Sequence, residues 1–263
     1  MIEFRNVTKS FSEDPILDGI SFKISRGETK IIMGVSGSGK STILKLMLGL
    51  IRPDSGQILV DDKDITLMSE RQLVGIRHRI GMVFQEGALF DSLSVRENVG
   101  YRLYEEGLLS EEEIESSVRR LLGFVGLEDA LDKMPSELSG GMKRRAGLAR
   151  ALVGTPKIVL YDEPTAGLDP ITKRTIVELM IKLRDLEGVT TIFVTHDLRA
   201  ASILATEYAV ADKAGNVSLV RGGDSLCLVN VHFLMLQDGK ISFEGSYQEL
   251  KDSKEPYIRK FVS

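Results

Sequence analysis

Hydrophobic and polar positions follow two periods along this chain, and they predict strands and helices in alternation. Ile2–Phe4 and Ile20–Ile24 alternate apolar and polar residues, which is typical of strands with one buried face. Three nearly continuous apolar runs, 31–33, 157–161 and 191–194, predict strands buried on both faces, as in a parallel sheet. The pattern therefore favours an α/β fold in which short strands near the start of the chain accompany a parallel-sheet core.

Helical spacing dominates between these strands. Apolar residues recur at helical spacing over Ser41–Leu50 and Met142–Val153, and Pro170 opens a predicted helix that continues to about Leu186. Ser110 begins a capping box. The apolar residues after it share one helical face: Ile114, Val118, Leu121 and Leu122. We expect a single domain, 1–263, with a core over about 1–90 and 156–245, a helical subdomain over about 91–155 and a C-terminal tail over 246–263.

The segment between the first buried strand and the first helix carries a specific motif, here called the phosphate loop. It matches the pattern G-x-x-x-x-G-K-[ST] at every fixed position with Gly34, Val35, Ser36, Gly37, Ser38, Gly39, Lys40 and Ser41. Glycines let several N–H groups point inward, and the helix adds its positive N-terminal end. We expect the loop and Thr42 to hold nucleotide phosphates, with Lys40 on the β- and γ-phosphates and Ser41 on Mg²⁺. The complete match disfavours a glycine-rich turn without a ligand.

Two carboxylates, Asp162 and Glu163, follow the second buried strand. Open α/β sheets bind their ligands at this end of the strands. We expect Asp162 to act on Mg²⁺ directly or through water, and Glu163 to polarise an attacking water. A positioned general base contributes roughly 10²–10⁴-fold to a rate. On their own the two would be ordinary solvated acids, but the phosphate loop favours the catalytic interpretation.

A third motif, Leu138-Ser139-Gly140-Gly141-Met142, lies between the phosphate loop and the acidic pair. With the other two it resembles the signature segment of the ATP-binding cassette (ABC) family, where the fifth position is usually glutamine rather than Met142. The resemblance implies an α/β fold, the P-loop NTPase fold of an ABC-type nucleotide-binding domain, with an antiparallel β subdomain, a parallel-sheet core and a helical subdomain. It implies ATP as substrate and Mg²⁺ as cofactor. It also implies that Ser139, Gly140 and Gly141 face the γ-phosphate bound by a second, identical subunit in a two-fold dimer.

Further positions match ABC motifs residue by residue. The resemblance implies that Phe11 stacks on adenine, Gln85 senses the γ-phosphate and Mg²⁺, and His196 contacts the γ-phosphate. Residues 166–169 match the loop that touches the partner subunit. Without this context, Phe11 and His196 would be ordinary residues at strand ends. The expected catalytic residues are Glu163, His196, Lys40 and Gln85, and the expected Mg²⁺ ligands are Ser41, Gln85 and Asp162.

A narrower resemblance covers two segments in the middle of the chain. Phe84–Val99, with Gly87-Ala88-Leu89-Phe90, and Met134–Met142 with its continuation to Arg150 resemble ATPases of Mla/Mce-type lipid transporters. This implies a subunit that powers the movement of phospholipids between membranes. Its implied partners are a multi-span membrane permease, gripped by loops near 85–105, and further lipid-binding components of Mla/Mce type.

Other functions stay open at this point. The ATPase does not touch the cargo, so an amino acid or metal complex could replace the lipid. A membrane-linked ABC regulator of the cell-division type would share the motifs without transporting anything. Soluble cassettes of translation or DNA repair usually carry two cassettes or long coiled coils, which this chain lacks. A small-molecule kinase has no reason to carry Leu138-Ser139-Gly140-Gly141.

The composition of the chain limits which partners and which cellular location are expected. The 263 residues carry a net charge of −4, which argues against a nucleic-acid partner. The single cysteine, Cys227, fits a reducing compartment. No apolar run is long enough to span a membrane, and the first residues lack the pattern of a signal peptide. We expect a cytoplasmic protein, peripheral on the cytoplasmic face of the inner membrane.

The C-terminal part departs from the family pattern. About 20 extra residues fall over 212–231. There, Gly222-Gly223-Asp224 between Val217–Val220 and Leu226–Val229 predicts a β-hairpin, with a longer surface meander as the alternative. The tail is expected to form a helix with a polar end.

Overall fold

The computed structural model describes residues 2–222 and 230–262. The strands in this part are β1 (Ile2–Ser10), β2 (Pro15–Ile24), β3 (Thr29–Met33), β4 (Ser55–Val60), β5 (Lys63–Asp64), β6 (Ile80–Val83), β7 (Ile158–Asp162), β8 (Thr190–Thr195), β9 (Glu207–Ala211), β10 (Val217–Arg221), β11 (Val231–Gln237) and β12 (Lys240–Gly245). The helices are α1 (Lys40–Met47), α2 (Glu70–Arg77), α3 (Val95–Glu106), α4 (Glu111–Phe124), α5 (Gly140–Leu152), α6 (Pro170–Glu187), α7 (Leu198–Thr206), α8 (Tyr247–Asp252) and α9 (Pro256–Val262).

The larger sheet has the strand order β12-β11-β3-β8-β7-β6, and all its pairs except β11 with β12 are parallel. Its apolar strands are buried on both faces, as predicted. Ile31 of β3 belongs to one hydrophobic cluster and Ile32 to the other. Met33 pairs with Thr195 on β8, and Asp162 pairs with Val194 on the same strand. The loops that follow β3, β7 and β8 therefore leave the sheet at one edge.

A second, antiparallel sheet has the order β2-β1-β4-β5 and packs in the same cluster as α1. Phe4 of β1 stacks on Phe22 of β2 with ring centroids 4.6 Å apart. The predicted alternation places these apolar residues inward and polar residues outward. This is the antiparallel β subdomain that the resemblance to the ABC family implies.

Helices α3, α4 and α5 form the predicted helical subdomain and bury their apolar faces in the other cluster. Serine side chains begin all three: Ser94, Ser110 and Ser139 accept backbone N–H groups of Glu97, Glu113 and Met142. No helix in the described part of the chain combines the length and apolar character needed to cross a bilayer.

Two helix boundaries differ from the sequence prediction by two residues or more. Helix α1 ends at Met47 rather than Leu50, because Gly49 takes a φ of 62° and ends the helical run. Helix α5 begins at Gly140 rather than Met142, because the Ser139 hydroxyl caps it. The two signature glycines therefore lie inside the first turn of α5.

The C-terminal region shows one pairing that the sequence did not predict. The strand predicted at Val217–Val220 forms as β10, and it pairs with β9 across a turn over 212–216. Its predicted partner, Leu226–Val229, lies outside the described residues. The tail forms two short helices, α8 and α9, instead of one helix with a polar end.

Candidate nucleotide site

The phosphate loop joins β3 to α1 and is held against the start of β2. Gly39 precedes the helix with a φ of 96°, and a Cβ there would lie 2.7 Å from Leu17 Cδ2 and 2.9 Å from the Ile16 carbonyl oxygen. Only glycine fits this position without strain. The first N–H groups of α1, which begins at Lys40, have no partner within the helix and are available to an anion.

Lys40 is 7% exposed, and its side chain reaches back to the first residues of the phosphate loop. Its Nζ donates to the carbonyl oxygens of Gly34 at 2.9 Å and Val35 at 3.0 Å, and lies 3.9 Å from Glu163 Oε1. Burial lowers the pKa of Lys40, while Glu163 and Asp162 oppose that shift. The ammonium thus stands between the loop and the acidic pair.

The sheet brings Ser41 and Asp162 into contact, although 121 positions separate them along the chain. Ser41 Oγ donates to Asp162 Oδ1 at 2.9 Å. Burial is the main cause that raises the pKa of the Asp162 carboxyl, and the neighbouring Glu163 charge adds to it. A hydroxyl beside a buried carboxylate is the hard oxygen donor set that Mg²⁺ prefers, and a bound cation would offset the buried negative charge. The residues present therefore fit Mg²⁺.

Glu163 and His196 are also paired. His196 Nδ1 lies 2.9 Å from Glu163 Oε1, and the backbone N–H of His196 donates to Glu163 Oε2 at 3.4 Å. Glu163 adopts a φ of 49°, while its own N–H donates to the Val194 carbonyl oxygen at 3.0 Å. A positive φ is uncommon for a residue other than glycine, and such strain concentrates at functional sites. The backbone around Glu163 is therefore held in a costly but defined conformation.

Two further predicted residues, Gln85 and Phe11, lie in exposed loops that follow strands. Gln85 follows β6, whose Val83 pairs with Tyr161, so it leaves the sheet at the same edge as Asp162. Its side chain is exposed. Phe11 lies in the turn between β1 and β2, and it is 66% exposed, with Lys9 Nζ 5.5 Å from its ring centroid. Its open ring face is suited to stacking.

Ser139, Gly140 and Gly141 of the signature segment lie at the start of α5. Ser139 and Gly140 are exposed, and the Ser139 hydroxyl accepts the Met142 N–H at 3.3 Å. In the described part of the chain, no hydrogen bond joins this segment to the phosphate loop. The fold thus presents the signature segment to solvent and does not bond it to the loop of its own chain.

Sequence reasoning gave no site role to two residues that reach these loops. Arg144, on α5, donates to the carbonyl oxygens of Gln85 and Ala166. Tyr257, on α9, accepts the Val35 N–H at 3.3 Å and donates to the Leu236 carbonyl oxygen at 2.7 Å. The only sequence signal for Arg144 is a charged residue within the apolar pattern of α5; Tyr257 carries none.

Known proteins resemble this chain over its length. Residues 17–166 match the family model for "ABC transporter". The "Intermembrane phospholipid transport system ATP-binding protein MlaF" of Escherichia coli (strain K12) is 38% identical over 262 residues, 100% of this chain and 88% of that protein. The chloroplastic "Protein TRIGALACTOSYLDIACYLGLYCEROL 3" of Arabidopsis thaliana is 40% identical over 271 residues, 100% of this chain and 73% of that protein.

A solved structure agrees with the fold. It is the dimeric post-hydrolysis state of the ATP-binding cassette MJ0796 bound to ADP and Pi. It superposes with a TM-score of 0.78 at 31% sequence identity, covering 94% of this chain and 98% of that one.

Proposed function

The chain belongs to the ABC transporter family, and from this premise we propose that it is the ATP-hydrolysing subunit of a transporter that moves phospholipids between membranes. The observation that carries the ATPase activity is the convergence of Lys40, Ser41, Asp162, Glu163 and His196 beside the phosphate loop at one edge of the sheet. The likeness to MlaF over the full chain supports the phospholipid cargo.

The chemistry follows from the positions of these side chains. Lys40 and the N–H groups at the start of α1 would bind the phosphates, and Ser41 and Asp162 would hold Mg²⁺. That ion supplies positive charge to the phosphate oxygens when bound. Glu163 accepts a proton from the water that attacks the γ-phosphorus, and the bond between that phosphorus and the bridging oxygen breaks, so that ADP leaves. His196 orients the Glu163 carboxylate through the 2.9 Å contact. Gln85, at the same edge of the sheet as Asp162, would be the third Mg²⁺ ligand.

A second copy of the chain would complete the site. The signature segment is exposed and its glycines leave backbone N–H groups at the start of α5, which favours an anion from outside the chain. The solved MJ0796 cassette is described as dimeric. We infer a two-fold dimer in which Ser139, Gly140 and Gly141 of one subunit cover the nucleotide of the other.

The permease would bind the helical subdomain beside Gln85. Exposed aromatic side chains lie there: Phe84 is 39% exposed, Phe90 45%, Tyr101 39% and Tyr104 42%. Phe90 and Tyr101 pack together with ring centroids 4.8 Å apart. Aromatic residues are enriched at protein interfaces, and this surface adjoins the Gln85 segment, so it can pass nucleotide-driven motion to a membrane partner. Attachment through this partner would hold the chain at the membrane surface.

Replacing Lys40 with alanine is expected to weaken ATP binding by about 10–150-fold, because charge-assisted hydrogen bonds contribute about 1.5–3 kcal/mol. Fluorescent ATP-analogue titration measures the effect. Lys45→Ala is the matched control, since Lys45 is an exposed lysine on the same helix. Equal affinity of the parent and Lys40→Ala would contradict the assigned role.

Affinity capture from detergent-solubilised membranes, with mass spectrometry of the proteins and lipids recovered, tests the transport function. A multi-span permease with bound phospholipid is expected. The Phe90→Asp chain should no longer capture the permease, but it should still bind ATP. A permease that brings no lipid would leave the ATPase activity in place and overturn the phospholipid cargo. A cell-division protein instead of a permease would favour the regulatory alternative.

A further inference from the structure

A buried cation on α5 touches two loops of the candidate site. Arg144 is 8% exposed; its Nε donates to the Gln85 carbonyl oxygen, and its Nη2 donates to the Ala166 carbonyl oxygen at 2.5 Å. Among residues 2–222 and 230–262, no carboxylate lies within ion-pair distance of it. Buried charged side chains are usually paired with an opposite charge. Here the guanidinium donates to two backbone carbonyl groups instead, so its position depends on both loops.

The Ala166 contact leads directly to Glu163. The Ala166 N–H donates to the Glu163 carbonyl oxygen at 3.1 Å, which closes a tight turn over residues 163–166. Arg144 therefore holds one end of the turn whose other end is Glu163, the residue with a φ of 49°. Thr165, inside the turn, is fully buried, while Glu163 and Ala166 at its ends are partly exposed.

The Gln85 contact belongs to a larger attachment. One turn beyond Arg144, a Cβ at Gly147 would lie 2.8 Å from Gly87 Cα, so only glycine allows this approach. Arg150 donates to the carbonyl oxygens of Gly87 at 3.0 Å and Ala88 at 2.8 Å. One face of α5 thus binds the backbone of residues 85–88 at several points.

We propose that Arg144 is a positioning residue for hydrolysis, which sets Glu163 relative to the backbone of the Gln85 segment and to the signature segment of the same subunit. The inference rests on the proposed ATPase function. The guanidinium is planar and its donors point in fixed directions, so it fixes the spacing of the two carbonyl groups. Ser139 begins the same helix, five positions before Arg144. Arg144 therefore gives the signature helix a direct contact with the Glu163 turn.

The expected effect falls on turnover rather than on ATP binding. Arg144 touches neither the phosphate loop nor Lys40, so the KM for ATP should stay within about twofold of the parent. A displacement of about 1 Å can cost about 100-fold in rate, so Arg144→Met should lower kcat by about 30–100-fold. Arg144→Lys keeps the charge but offers a single nitrogen, and about a 3–10-fold loss of kcat is expected.

Steady-state ATPase assays on the full chain measure kcat and KM for these variants, with thermal unfolding recorded for each. Arg145→Met is the matched control. Arg145 also donates to two carbonyl groups, those of Val125 and Gly126 at 2.9 Å each, but these lie at the end of α4, away from Glu163. If kcat fell only because the fold was less stable, Arg145→Met would lose kcat to the same extent as Arg144→Met.

A double-mutant cycle with Glu163→Gln isolates the positioning role. If Arg144 acts through Glu163, Arg144→Met should cost little further rate in the Glu163→Gln background, measured by single-turnover hydrolysis of radiolabelled ATP. Independent losses that multiply would overturn the inference, as would a kcat for Arg144→Met within twofold of the parent. If Arg144→Met does not fold, the same cycle is measured with Arg144→Lys. Its kcat relative to the parent, alone and in the Glu163→Gln background, then decides in the same way. A parent chain without ATPase activity would instead overturn the proposed function itself.

Discussion

Replacing Glu163 with glutamine is expected to lower ATP turnover by about 10²–10⁴-fold, the contribution of a positioned general base. The amide has the shape of the carboxylate but cannot accept a proton from the attacking water. Glu163 lies 3.9 Å from Lys40 Nζ, while Lys40 itself is held by the carbonyl oxygens of Gly34 and Val35. ATP binding should therefore remain within a few-fold of the parent, and bound ATP should persist instead of being consumed.

Phosphate release under steady-state conditions gives kcat, and titration with a fluorescent ATP analogue gives the affinity. Glu112→Gln, an exposed carboxylate in the first turn of α4, removes the same charge far from the site and should change neither value. Turnover of Glu163→Gln within tenfold of the parent would show that another group takes the proton.

Replacing Gly140 with aspartate is expected to abolish ATP-driven dimerisation and to lower turnover by about 100-fold or more. Nothing lies within 4 Å of a Cβ built at Gly140, and its φ is negative in the helix, so the isolated subunit can accept the side chain. A carboxylate in the first turn of α5 also suits the helix dipole. In the proposed dimer, however, this carboxylate would face the partner's γ-phosphate, and like charges so placed cost several kcal/mol.

Gly140→Asn is the matched control, because asparagine has the shape of aspartate without its charge. Analytical ultracentrifugation with ATP in the Glu163→Gln background measures dimerisation, and thermal unfolding checks that the fold is kept. A Gly140→Asp chain that dimerises with ATP as well as the parent would remove the signature segment from the interface.

Mixing the Lys40→Ala and Gly140→Asp chains tests whether sites are shared between subunits. In a mixed dimer, one site combines the intact phosphate loop of one chain with the intact signature segment of the other. Activity above that of either variant alone is expected. If each chain holds a complete site of its own, mixing restores nothing.

Local sequence is sufficient where a structural feature is made by neighbouring residues. The phosphate loop follows from eight consecutive residues, and the start of α4 follows from Ser110 and Glu113. Helix ends are less well predicted, because a capping hydroxyl such as that of Ser139, or the positive φ of Gly49, outweighs apolar periodicity. The pairing of β10 with β9 was not predicted either, since a β-rich segment does not specify which other segment it pairs with.

The sequence by itself determined the fold class, the family and the residue types of the site, because consecutive motifs and periodic burial carry that information. Only the tertiary structure decided that Ser41 bonds Asp162, that Glu163 meets His196, and that Arg144 joins two loops. These contacts join residues 121, 33, 59 and 22 positions apart along the chain. Their spacing is set by parallel strand register and helix packing, which act across the sheet and leave no trace in local sequence.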